Sequence, residues 1–133
     1  MSTYIAQSRS NYFKVKDEEL FRKFCGQYEL EILAPDAKSA DRRFGFLFYG
    51  SLPMDRTDDN DNWIEADLVQ ELSQQLAPGE VAVVIQVGWE KMAVLTGYAR
   101  AVNDKGETVE VNLTDIYRLA EQRFGVVPTE TEG

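Results

Sequence analysis

The chain has 133 residues, 44% hydrophobic and 28% charged, which fits one soluble globular domain with its own core. Its net charge of −9 and pI near 4.5 work against nonspecific binding to phosphate backbones, because nucleic-acid binders carry a basic stripe and none is visible here. Histidine is absent and Cys25 is the single cysteine, which removes Ser-His-Asp triads, Cys-His pairs, histidine metal ligands and intramolecular disulfides.

The first residues contain no apolar signal core, and the longest apolar run, Val81–Ile85, is far too short to span a bilayer. The expectation is a cytoplasmic protein with no membrane partner. Tyr4 to Lys16 reads as extended, and its last part alternates Phe13 and Val15 with Lys14 and Lys16. Asp17 is a helix N-cap followed by Glu18 and Glu19 in the favourable first turn. Leu20, Phe21, Phe24 and Cys25 make one apolar stripe, and Gly26 is expected to end this helix in the left-handed conformation. Cys25 on that stripe reads as an inert core thiol.

Tyr28 to Leu33 alternates apolar and acidic residues, as a strand with one wet face does. Pro35 opens a polar loop to Arg43. Phe44 to Tyr49 is apolar on both faces and is expected to be a central strand. Trp63 to Leu76 places Ile64, Leu68, Val69, Leu72 and Leu76 at helical spacing, and Pro78-Gly79 stops that helix. Glu80 to Val87 is read as a buried strand, with Trp89 in a turn after it. Met92 to Val102 and Thr108 to Leu113 are two more strands, joined by the turn Asn103 to Gly106. Thr114 is expected to cap a last helix with the stripe Ile116, Leu119, Ala120 and Phe124, closed by Gly125. Residues 126–133 read as a frayed tail. The order is β-α-β-β-α-β-β-β-α. A single α+β domain follows, with a mainly antiparallel sheet and three helices packed on it.

The chemical focus is Asp55 to Asp67, which carries six carboxylates and one arginine in thirteen residues. A calcium loop needs glycine at position six and glutamate at twelve. Started at Asp55, the run puts Asn60 and Ala66 there; started at Asp59, it puts Trp63 at the fifth position. No metal and no cofactor are therefore assigned, and a nonstandard divalent-metal site stays as a further alternative. Acid pairs are too plentiful to mark a hydrolase, so the chain is read as non-enzymatic. Tryptophan is enriched at binding hot spots, and Trp63 stands among the acids. The candidate partner-binding residues are Asp55, Asp58, Asp59, Asp61, Trp63, Glu65 and Asp67, facing a basic protein surface. The same acids could otherwise form a solvated loop before the next helix. The alternative site is Arg9, Tyr12, Lys14 and Lys16, where aromatic and basic residues could hold single-stranded nucleic acid. A homo-oligomer through apolar edge strands is open.

Two stretches carry a resemblance. Ser8-Arg9-Ser10-Asn11-Tyr12-Phe13-Lys14-Val15-Lys16-Asp17 is one, and Gly97 to Gly106 continuing to Leu113-Thr114-Asp115-Ile116-Tyr117 is the other. Together they cover about a quarter of the chain and resemble small uncharacterised proteins of phages, plasmids and other mobile elements. The resemblance brings no catalytic motif. It implies a setting in which small acidic proteins inhibit host defence, of anti-CRISPR or anti-restriction type. The target would then be a nucleic-acid-binding host protein. A DNA mimic would have its acids spaced along a surface, whereas here they are bunched.

Overall fold

The computed structural model describes residues 4–34, 42–90 and 94–129. Most of the expected loop from Pro35, the beginning of the Met92 strand and the last residues of the tail lie outside these ranges.

The first strand, β1, is Tyr4–Ser10. The chain then leaves regular pairing, but Phe13 and Val15 each make an isolated antiparallel bridge, to Phe44 and Leu76. Phe13 is fully buried and Val15 packs against the core, as the alternation requires. Helix α1 is Glu18–Gln27. The Asp17 carboxylate accepts from Leu20 N at 3.1 Å, so this cap is as expected. Its end is not. Gly26 stays helical, and the left-handed residue is Glu29 at φ 59°. The turn closes instead with Leu30 N donating to Cys25 O at 2.8 Å. Leu20 falls outside the buried stripe and is exposed, while Phe21, Phe24 and Cys25 are buried.

Strand β2 is only Glu31–Leu33, because Tyr28 serves as the C-cap of α1 and goes into the core. Strand β3, Gly45–Phe48, lies between β2 and β1 and so is interior, as expected. Gly45 is required there. A Cβ would stand 2.7 Å from the backbone oxygen of Asn11.

The acidic run is an ordered hairpin, not a loop or a helix start. Strands β4 (Asp55–Thr57) and β5 (Trp63–Glu65) pair antiparallel as a separate two-stranded sheet. The cause is local. Asp58 Oδ1 accepts from Asn60 N at 2.8 Å and Asn62 N at 2.9 Å, and Asp61 takes the left-handed conformation at φ 61°. Trp63 and Ile64 are therefore strand residues. Helix α2 is Leu68–Ser73, shorter than expected, because Asp67 caps it by accepting from Val69 N and Gln70 N.

Strand β6 is Val81–Glu90 and takes in Trp89, which was expected in a turn. Strand β7 is Val94–Asn103 and β8 is Thr108–Asn112, joined by a turn with Gly106 at φ 83°. Helix α3 is Asp115–Phe124, ended by Gly125 in the left-handed conformation. Thr114 makes no capping hydrogen bond. Asp115 instead accepts from Asn112 N at 2.7 Å, which ties the helix start back to β8.

The large sheet has the order β2-β3-β1-β6-β7-β8, and every pairing is antiparallel. The fold is thus α+β with three helices, in the expected order apart from the added hairpin. One face of the sheet packs on α1 and α2. Ser10, Ala82, Val84 and Val102 point that way, with Phe13, Phe21, Phe46, Leu72 and Leu76 filling the core. The other face is different. Strand β6 looks continuously apolar, yet Val81, Ile85 and Val87 are exposed, so it is buried on one side only. Every residue of β8 is exposed, and α3 buries none of its residues.

Candidate functional site

The hairpin is clamped to the two core helices by its inner face. Arg56 of β4 holds Glu71 of α2 through two hydrogen bonds, Nε to Oε1 at 2.7 Å and Nη2 to Oε2 at 3.0 Å. The Tyr28 hydroxyl, at the end of α1, donates to the same carboxylate. Hydrogen bonds from Arg56 hold the Glu71 carboxyl below its ordinary range, against the effect of burial. Burial, followed by the bond to Glu71, pushes the Tyr28 phenol up. At the tip, Lys23 of α1 pairs with Asp59 at 2.9 Å, and this pairing lowers the Asp59 pKa.

The seven acidic-region candidates therefore do not act as one surface. Asp58 builds the hairpin turn. Asp59 ties the tip to α1. Asp67 caps α2 and also pairs with Arg100 of β7 at 3.3 Å. Asp61 sits at the exposed turn. The remaining three come together. Asp55 stands directly opposite Glu65, and Thr57 opposite Trp63. By strand alternation these four share the outer face, while Arg56 and Ile64 take the inner one. Trp63 is 57% exposed.

Asp55 and Glu65 are like charges at directly opposed positions, which costs a hairpin stability. Neither has an ion-pair partner among the described residues. They form one wall of an open groove of about 900 Å³ whose other residues include Met54, Leu68, Gln86, Tyr98 and Arg100. The groove floor is already neutralised. Arg100 is shared between Asp67 and Glu110, the latter at 3.5 Å, and burial raises the Tyr98 pKa. Among the described residues the wall has no cation paired to it. Two carboxylates beside an accessible indole suit the ammonium or guanidinium group of a basic partner.

Among the described residues no three acidic or thiol side chains are grouped as a metal site. Cys25 is buried, and burial pushes its thiol up to about 12. No helix among the described residues is long and apolar enough to cross a membrane.

Of the N-terminal candidates, Arg9 and Tyr12 are brought together. Arg9 lies over the Tyr12 ring at 5.7 Å and donates to Ser10 O. Lys14 is half-buried, with its backbone N–H on Glu80, whereas Lys16 is exposed. Comparison with protein-family models, curated proteins and solved structures returned no match.

Sequence reasoning missed the clamp of Arg56, Glu71 and Tyr28, and Arg100 in the groove. One signal was present: Arg56 is the only cation in the acidic run, so a structural partner for it was to be sought.

Proposed function

We propose that this protein is a non-enzymatic binding protein that docks the outer face of the β4–β5 hairpin on a basic protein surface. The observation that carries this reading is the opposition of Asp55 and Glu65, with no cation paired to either among the described residues, beside exposed Trp63. A fold that keeps two like charges face to face on a rigid hairpin loses stability there. A basic partner recovers it on binding, and its apolar atoms cover the indole.

The most concrete form of the proposal is an inhibitor of host defence, of anti-CRISPR or anti-restriction type, carried by a mobile element. Its support is the resemblance of Ser8–Asp17 and Gly97–Tyr117 to proteins of such elements, together with the acidity of the chain. The target in that case is a host protein whose basic surface handles nucleic acid.

Two experiments test the two levels. Immobilised protein should capture a basic host protein in a salt-sensitive manner, and the double variant Asp55→Lys, Glu65→Lys should lose it. Equal capture by the double variant removes the docking proposal. Cells expressing the protein should admit a plasmid that restriction or CRISPR otherwise destroys. No gain in plasmid survival removes the defence-inhibitor form and leaves the docking proposal standing.

A further inference from the structure

The second face of the large sheet has the wrong chemistry for solvent. An antiparallel sheet with one wet face alternates apolar and polar residues. Here the register places apolar residues in rows across three strands. Ile85 stands beside Ala99 and Val111, Val83 beside Ala101 and Val109, and Trp89 beside Leu95. Ile85, Val87, Leu95, Val109 and Val111 are all between 43% and 79% exposed. Scattered exposed apolar residues are ordinary, but a contiguous patch of this kind marks an interface.

Helix α3 extends the same surface. Leu113 lies against Gly97, where a Cβ would stand 2.9 Å from its Cδ1, so the chain enters the helix over this face. The stripe Ile116, Leu119 and Phe124 is then left between 45% and 74% exposed. Among the described residues, the apolar stripe of this amphipathic helix stays largely uncovered.

We infer that this face and the α3 stripe are covered by a second copy of the chain in a two-fold dimer. Three observations select that occupant. The first is area: the eight exposed side chains named above, at about 100 Å² each, sum to roughly 800 Å², close to the ~800 Å² per partner of a stable interface. The second is charge. On β1, β6, β7 and β8 this face carries no carboxylate, and its only charged side chain is Arg9, although the chain's net charge is −9. On these four strands two copies can meet without opposing their acids, whereas a basic partner would find no carboxylate on them; Glu31, on the same face, lies out on the edge strand β2. The third is kind: the chain presents both an open apolar sheet and an open apolar helix, and an isologous contact matches one to the other.

The acidic hairpin adjoins Gln86, Tyr98 and Arg100, which lie on the α2 side of the sheet. A dimer through the opposite face leaves both hairpins outward. It would therefore present two docking points at once and raise effective affinity for a partner with repeated basic sites.

Sedimentation equilibrium tests the inference. The wild type should show twice its 15.1 kDa mass at micromolar concentration. The double variant Ile85→Asp, Val111→Asp should sediment as a monomer with an unchanged circular dichroism spectrum. In a Trp63→Phe background, dilution should shift Trp89 emission to the red in parallel with the fall in mass. A wild-type mass of 15.1 kDa up to ~100 μM, well above a micromolar dissociation constant, overturns the inference. So does a folded double variant that stays dimeric, or a dimer whose Trp89 emission ignores dilution. Monomers that bind phosphatidylcholine vesicles or a different protein through this face also overturn it. The hairpin variant Asp55→Lys, Glu65→Lys keeps the dimer mass, so failure of hairpin docking is distinguishable from failure of the dimer.

Discussion

Asp55 and Glu71 show how differently two carboxylates can serve the same small protein. Glu71 is committed to structure: it receives two hydrogen bonds from Arg56 and one from Tyr28. Glu71→Gln should destabilise the chain by about 1–2 kcal/mol in urea unfolding, from the weakened charge-assisted bonds. Because the folded pKa of Glu71 is lowered, its contribution is complete above the ordinary glutamate value of 4.5. It is lost as pH falls through the lowered folded value, and Glu71→Gln should flatten that acid limb. Asp55 should behave in the opposite way. Asp55→Asn removes a like-charge opposition and should raise stability by about 0.2–1 kcal/mol while weakening partner capture. A loss of stability in Asp55→Asn would mean that the pair is structural. Cys25, with its pKa pushed up to about 12, should resist thiol reagents at pH 8 until the chain is unfolded.

At the scale of elements, the existence of the two core helices and the Asp17 cap of α1 were legible in the chain, whereas the end of α1 and the Asp67 cap of α2 were not. Asp17 before Glu18-Glu19 and an apolar stripe leaves few alternatives. The order of the large strands was legible as well, because turn residues punctuate them. The hairpin was not. Trp63 and Ile64 fit a helical stripe with Leu68 and Leu72, and spacing alone cannot see that the Asp58 side chain would close a turn first. Asp67 then supplied the true cap, so two local hydrogen-bonding devices outcompeted the longer helix. The apolar run of β6 misled for a different reason. A strand covered on both faces and a strand exposed on one face of an interface share the same sequence signature. Helix α3 likewise carries an apolar stripe that stays exposed. Truncation after Thr114 should leave monomer unfolding changed by less than about 1 kcal/mol, since no α3 residue is buried. A large loss in dilute samples would show that α3 belongs to the core.

Taken whole, the molecule divides its surface in two. The α1 and α2 side carries the clamped acidic hairpin, and the reverse side carries an apolar sheet with no carboxylate on four of its strands. The candidate site was half legible at this scale. Composition located the acids, but only tertiary contacts separate those spent on turns, caps and tethers from those left open. Docking by the open pair differs from docking by bulk negative charge in a way that one comparison resolves. Partner capture should be measured for two double variants of equal charge change, Asp55→Lys with Glu65→Lys, and Asp59→Lys with Asp61→Lys. Docking by the outer hairpin face predicts loss of capture in the first pair and retention in the second. Equal loss in both, or loss only in the second, would contradict it.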